Sequence, residues 1–325
     1  MKTVLFRVDG GAVKNVGTGH LARCLLMARA VRDRHRVVFA SLDVPEFAHG
    51  HDRITRDGYP LHRLPAGDHA GLAKLANCER PDFTVCDLYE YDEAALRALK
   101  TTGAPLMTFD HLDASRAYAD YAIDAVSPRT DGPFSGPDYI VVPPPTPRAF
   151  RDPAETIFVS FGGFDYFDLT PRVMGVIAKL DVRPRVDVVV GGVYDDVEGL
   201  KRLARQNERI TVHRQPEDFA ALLNDADIAF VSGGLTMFQA LSCGVATAVI
   251  SQYDHQAATV ADFRGAGAYL DLGKGDVVDA AAIAAALTHL IEASDLRRTL
   301  GENGRKLVDG RGLERIVRIV EDALA

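Results

Sequence analysis

The chain contains no tryptophan and only four cysteines, and Cys24, Cys78, Cys86 and Cys243 form no Cys-x-x-Cys pair. They read as reduced, mostly buried thiols, the usage of a cytoplasmic protein, and not as a disulfide framework. Basic residues are neither in excess nor in blocks. Lys and Arg number 37 against 45 Asp and Glu, for a net charge of −8, which argues against a broad nucleic-acid surface. No apolar run approaches the ~20 residues that cross a bilayer, so stable membrane insertion is not expected. The first strand is read from residue 3 onward, which leaves no place for a signal peptide. Low-complexity segments and repeats of 20–50 residues are also missing. The remainder is ordinary for a globular protein: 325 residues, 47% hydrophobic and 25% charged, enough for two cores.

Strands and helices alternate almost throughout. In the first half strands are expected near 3–9, 36–42, 83–88, 106–110 and 121–125, with helices near 20–33, 69–77 and 92–101. The run Val141-Val-Pro-Pro-Pro-Thr-Pro147 cannot be regular structure, because its prolines fix φ and remove donors. A second series follows, with strands near 156–161, 185–191, 209–213, 227–231, 246–250 and 268–271. Its helices are expected near 168–180, 196–206, 216–225, 236–243 and 256–265, and three more near 277–293, 295–308 and 312–324 close the chain. Such alternation predicts an α/β protein of two Rossmann-like, doubly wound parallel-sheet domains, 1–145 and 155–325. They are expected to face a cleft at the carboxyl ends of both sheets, where ligands of open sheets bind.

The most informative segment joins the first strand to the first helix. Val4-Leu-Phe-Arg-Val8 leads into a Gly-rich loop ending Gly17-Thr-Gly19-His20, and Leu21, Leu25, Ala28 and Val31 then recur at helical spacing. A helix start offers unpaired N–H groups and positive potential, which suits an anion, and a neutral imidazole there can take a proton. The glycines lack the third Gly of the dinucleotide fingerprint and the Lys-Ser/Thr of a P-loop. A tight turn with a helix-capping histidine therefore competes as a reading. Two further Gly turns end strands in the second half, Phe161-Gly162-Gly163 and Ser232-Gly233-Gly234-Leu-Thr236. The polar cluster Ser251-Gln-Tyr-Asp-His255-Gln256 ends another. Together they make a diphosphate site at that sheet edge the better reading, since glycines let backbone N–H groups approach phosphate closely.

Several other candidates weaken. His49-Gly-His51 lies in a region read as a polar connection without a third ligand, so no metal and no cofactor is expected. Arg7 and Asp9 alternate with apolar neighbours and read as a buried ion pair, with Asp9 at the strand end as a possible substrate contact. Asp110-His111-Leu-Asp113 is either a sugar contact or a turn. Asp165 and Asp168 read as helix caps, Asp168 being the better fit. A sugar bonded through C1 to a nucleoside diphosphate carries a good leaving group, so the site needs a nucleophile and charge stabilisation. Water as nucleophile gives hydrolysis and an acceptor hydroxyl gives transfer. A binding protein without turnover is a third class, against which His20 argues. Oligomeric state is not legible.

Arg7-x-Asp9, Gly17-x-Gly19-His20-x-x-Arg23-Cys24-Leu25, Asp87-Leu-Tyr89, Phe109-Asp110-His111 and Val159-Ser-Phe-Gly-Gly-Phe-Asp165-Tyr-Phe-Asp168 resemble the pseudaminic-acid pathway UDP-sugar hydrolases. That family cleaves UDP-2,4-diacetamido-2,4,6-trideoxy-β-L-altropyranose and is related to MurG-like glycosyltransferases. The resemblance spans residues 3 to about 265 and implies a GT-B fold, a UDP-sugar substrate and a nucleotide held mainly by the second domain. It implies that His20 and Tyr89 are catalytic and that Asp9, Gly17, Gly19, Arg23, Asp87, Asp110, His255 and Gln256 meet substrate. It also implies that Gly162, Gly163, Ser232, Gly233, Gly234, Thr236 and Gln239 meet the nucleotide. The sequence departs from the pattern in three places. Gln239 stands where relatives carry Glu, His255 where the family has Asn, and Phe164-Asp165-Tyr166 where it has Ser-Asp-Pro.

Overall fold

Parallel sheets read as near-continuous apolar strands because helices cover both faces, and the central strands of this chain follow that rule. The structure is a computed structural model and describes residues 1–11, 18–126, 132–180, 183–192 and 194–325. Its contacts divide it into two units, Met1–Val142 with Arg311–Ala325, and Pro143–Gly310.

In the first unit β1 (Thr3–Val8), α1 (Gly19–Val31), β2 (Arg36–Leu42), α2 (Ala48–Arg56), β3 (Leu61–Leu64), α3 (His69–Glu79), β4 (Phe83–Asp87), α4 (Glu93–Lys100), β5 (Leu106–Phe109) and β6 (Tyr121–Ile123) follow one another. The strands form one sheet in the order β3-β2-β1-β4-β5-β6, every neighbouring pair parallel. The order reverses between β1 and β4. Their carboxyl ends are therefore the switch point at which open α/β sheets bind ligands.

The second unit repeats the plan. It comprises β7 (Thr156–Ser160), α5 (Leu169–Leu180), β8 (Arg185–Val190), α6 (Val197–Ala204), β9 (Ile210–Arg214), α7 (Phe219–Asn224), β10 (Ile228–Val231), α8 (Leu235–Cys243), β11 (Ala246–Ser251), α9 (Asp254–Phe263), β12 (Tyr269–Lys274), α10 (Ala280–Glu292) and α11 (Ser294–Leu307). The sheet order is β12-β11-β10-β7-β8-β9, again all parallel, with its switch point between β7 and β10. Ile157, Val159, Val188 and Phe230 from the strands pack with Leu169, Val173 and Leu287 from the helices to form its core.

The structure differs from the sequence reading in three places. β3 was not expected, because Leu61-His-Arg-Leu64 carries no buried residue and pairs only with β2 at the sheet edge. The stretch around His49 and His51 is helix α2, not a polar connection. Only Gly50, His51 and Ile54 of that helix are buried, too few to mark a period. The final helix, α12 (Gly312–Leu324), grouped with residues 155–325 while a crossing back to the first domain was left open, belongs to the first unit, where it meets α1 and β4. Ile316, Val320 and Leu324 form its buried stripe at helical spacing. His35 Nε2 on the other side lies 3.0 Å from Glu321 Oε2.

Candidate functional site

The end of β4 places a carboxylate, Asp87, fully out of water beneath the start of α1. Three α1 side chains one helical turn apart converge on it. Arg23 donates from Nε to Asp87 Oδ2 at 2.7 Å and from Nη2 to Oδ1 at 2.8 Å. His20 Nδ1 lies 2.7 Å from Asp87 Oδ1, and the Cys24 thiol 3.8 Å from Oδ2. The spacing His20, Arg23, Cys24 is the i, i+3, i+4 set of one helix face. Burial alone would push the Asp87 carboxyl up, but the Arg23 guanidinium and then His20 outweigh it and hold it down at about 2. Asp87 is thus ionised and only accepts. His20 Nδ1 must carry the hydrogen of that bond, and in the neutral ring Nε2 carries the lone pair.

Arg23 is itself buried, and its charge is satisfied on several sides. Nη1 donates to Asp110 Oδ2 at 2.9 Å, and the guanidinium carbon sits 4.2 Å from the centre of the Phe109 ring. Asp110 has a left-handed backbone, φ 49°, and its Oδ1 accepts the Val126 N–H at 2.9 Å. Its carboxylate therefore fastens Arg23 to the segment after β6. Tyr91 and His111 complete the floor: their rings stack at 3.8 Å, and the Tyr91 hydroxyl donates to the Phe109 carbonyl at 2.8 Å. Burial pushes the Tyr91 hydroxyl well up and the His111 imidazole down. Neither residue was singled out for a role from sequence, although His111 was quoted within its motif. A tyrosine two positions after the Asp-x-Tyr motif carries no signal without the fold.

Other expected residues lie elsewhere. Asp9 forms a buried ion pair with Arg7 at 2.7 and 2.8 Å, and Oδ1 also accepts from Ser41 Oγ and the Leu42 N–H. Both oxygens serve the ends of β1 and β2, the structural alternative raised by the alternation pattern. Gly19 is the first residue of α1, while Gly17 lies outside the described residues. Tyr89 follows Asp87 and is 37% exposed. His51 is buried, with Nε2 3.0 Å from the Leu42 carbonyl oxygen. Among the described residues no group of three or more His, Cys, Asp or Glu side chains is placed to hold a metal.

In the second unit the Gly turns follow β7 and β10, the two strands of its switch point. Gly163 packs so closely under Gly191 that a Cβ on Gly191 would lie 2.5 Å from the Gly163 Cα. Ser232 is buried, and α8 begins at Leu235 with no side-chain cap, so backbone N–H groups of its first turn, which includes Thr236, lack a capping side chain. The two glycines here have different reasons. A Cβ on Gly233 would meet Val260 Cγ2 at 2.7 Å and Gln256 Cβ at 3.3 Å, so Gly233 lets α9 pack. A Cβ on Gly234 would meet only Gln256 Nε2, at 3.7 Å. Gln239 is buried on α8.

Gln252, which the sequence reading passed over within its polar cluster, ties the region together. Its Nε2 donates to the Phe161 carbonyl at 2.7 Å, its Oε1 accepts the Tyr166 N–H at 2.7 Å, and its N–H donates to Gln256 Oε1 at 2.9 Å. His255 is exposed beside it. The cap of α5 is Asp165 and not Asp168: its oxygens accept the Leu169 and Thr170 N–H groups at 2.8 and 2.6 Å, whereas Asp168 is left-handed at φ 52°. Burial pushes the Asp165 carboxyl up.

No family model matches the chain. It is 27% identical to the spore coat polysaccharide biosynthesis protein SpsG of Bacillus subtilis, over 97% of this chain and 96% of that protein. Its fold is similar to that of Acinetobacter baumannii MurG, with a TM-score of 0.74 at 14% identity over 99% of this chain and all of that one. The spinosyn rhamnosyltransferase SpnG, solved with thymidine diphosphate, gives 0.65 at 15% identity over 99% and 100%. Two parallel Rossmann-type sheets in tandem with these likenesses make the fold GT-B, as expected.

Asp87 is expected to contribute to the acid stability of the first unit. Its carboxyl is lower folded, at about 2, than the ordinary 3.8, so its stabilisation is complete above the unfolded value and is lost as pH falls toward the folded one. The wild type should lose about 1 kcal/mol between pH 5 and pH 3 that Asp87→Asn does not lose. At pH 7 the variant should be less stable by roughly 3–5 kcal/mol, because Arg23 loses its main partner. Denaturant unfolding at the three pH values reads both, and parallel pH curves for the two proteins would contradict the assignment.

Proposed function

We propose that the chain is a metal-independent hydrolase of a UDP-activated sugar in surface-polysaccharide biosynthesis, and that His20 is its general base. The observation that carries this reading is the Asp87–His20 pair at 2.7 Å. A buried carboxylate on Nδ1 orients the ring and leaves Nε2 to take a proton from water, as in other oriented-histidine sites. Water attacks C1 of the sugar, its proton passes to Nε2, the C1–O bond breaks with its electron pair, and the products are a free sugar and UDP. Asp87 stabilises the imidazolium that forms.

The uncapped start of α8 and the turn Ser232-Gly233-Gly234 offer backbone donors to the diphosphate without a metal. The rhamnosyltransferase neighbour carries thymidine diphosphate on the same fold, which supports a nucleoside diphosphate here. The similarity to SpsG supports a place in polysaccharide biosynthesis. Gln239 accepts a ribose hydroxyl bond through its amide oxygen, with less strength than a carboxylate gives. Arg23, locked between Asp87 and Asp110, is a positioning residue, while Tyr89, exposed next to Asp87, remains the second candidate to touch substrate. Transfer to an acceptor hydroxyl is the alternative, favoured by the rhamnosyltransferase neighbour. Among the described residues no helix is long and apolar enough to cross a membrane.

His20→Asn should keep UDP affinity and lower kcat for UDP release by roughly 10²–10⁴-fold. A panel of UDP-, GDP- and CMP-sugars, assayed for diphosphate release, finds the substrate on which to measure it. Near-wild-type turnover would move the base to another residue.

The two glycines should separate by measurement. Gly234→Val should lower UDP affinity by about tenfold or more with little loss of stability, because its Cβ would meet only Gln256 Nε2, at an ordinary contact distance of 3.7 Å. Gly233→Val should instead lower the melting temperature, because its side chain meets Val260 and Gln256. Calorimetric titration and thermal unfolding of both variants check this. Unchanged UDP affinity in Gly234→Val places the diphosphate elsewhere.

A further inference from the structure

Four aromatic rings form a row beyond the carboxyl ends of β7 and β11. Phe164 and Tyr166 are 6.5 Å apart at 30°, Tyr166 and Tyr253 6.1 Å at 39°, and Tyr253 and His255 5.5 Å at 13°. Successive rings thus lie within about forty degrees of parallel. Phe164 is 37% and Tyr166 42% exposed. Water-facing aromatic surface of this size is unfavourable unless something covers it, and contiguous patches of it mark binding sites.

The row is held and not loose. The Tyr166 N–H is fixed by the buried Gln252, Asp165 caps α5 on its other side, and Phe167 packs edge-on against Tyr166 at 4.8 Å. The backbone is pinned on both sides of rings that stay exposed, the arrangement of a preorganised site. The same Gln252 binds Gln256, which borders Gly234. One pair of amide side chains therefore joins the row to the turn assigned to the diphosphate. Rings for apolar C–H faces beside the Gln256 Nε2 donor for a hydroxyl match the two-sided chemistry of a pyranose.

We propose that Phe164, Tyr166, Tyr253 and His255 form a stacking platform for the C–H face of the substrate's sugar ring. The proposal rests on the reading of the chain as a nucleotide-sugar enzyme. It assigns a role to positions 164–166 and 255, where the sequence departs from the family it resembles. A sugar with more C–H and fewer hydroxyl groups on one face stacks better, so the platform selects deoxy sugars over their hydroxylated counterparts.

The test uses the double variant Phe164→Ala/Tyr166→Ala, with Tyr166→Phe as the control that keeps the ring. Calorimetry with UDP and with UDP-N-acetylglucosamine should show UDP affinity within about twofold of wild type and UDP-sugar affinity lower by about tenfold or more. Tyr166→Phe should leave both unchanged. In saturation-transfer NMR, methyl α-L-rhamnopyranoside should receive saturation from the wild type on its ring C–H and methyl protons, and not from the double variant. Equal losses for UDP and UDP-sugar would put the nucleoside on the row and overturn the proposal. Unchanged affinity for both would take the substrate off it. A wild type that saturates the glycoside but binds no UDP compound would refute the nucleotide-sugar reading and leave the platform standing. A wild type that binds neither overturns both.

Discussion

The first unit's site depends on one buried charge. Asp87 lies at the end of a central strand, out of water, where burial alone would push its carboxyl up. Arg23 keeps it ionised, and the ionised carboxylate in turn fixes Arg23 and the His20 tautomer. Each group is stable only because the others are present, so this end of the sheet is ordered as a unit. Arg23 extends the order outward through Asp110 to the segment following β6, and through its stacking on Phe109 to β5. The parallel sheet makes this possible. Its switch point lies between β1 and β4, so the helix that follows β1 starts beside the carboxyl end of β4.

The second unit solves a related problem with neutral groups. Gln252, buried after β11, joins the turn after β7 to Gln256 on α9 through three hydrogen bonds. Amides suit this task because each offers donors and an acceptor without a charge to desolvate. The first turn of α8 carries no side-chain cap, which is what the proposed diphosphate site relies on.

Much of the architecture was legible because β4, β7, β10 and β11 are short, mostly apolar runs between helical periods. β3 and α2 were not legible, since a polar edge strand and a helix with one buried aliphatic residue leave no periodic trace. The last helix could be recognised as amphipathic from Ile316, Val320 and Leu324, but nothing in its own sequence says which core it covers. Among site residues, His20 and the Gly turns stood out because each follows a strand end, whereas Arg23 and Asp87 were marked by the family resemblance alone. The pairing of His20 with Asp87 spans 67 positions and comes only from the fold. Tyr91 and Gln252 were hidden for the same reason: they act through backbone groups distant in sequence. The two adjacent glycines 233 and 234 looked alike, and only the space around each separates packing from ligand approach.

The claim that unites these observations is base-assisted attack of water on C1 of a nucleotide-activated sugar. The position of the oxygen tests it most directly. Turnover of the UDP-sugar substrate in ¹⁸O-labelled water should place the label on the anomeric hydroxyl of the released sugar and none on UDP. Label found in the UDP phosphate would show attack at phosphorus, and a free sugar that fails to form without an added acceptor would show transfer; either result contradicts the account.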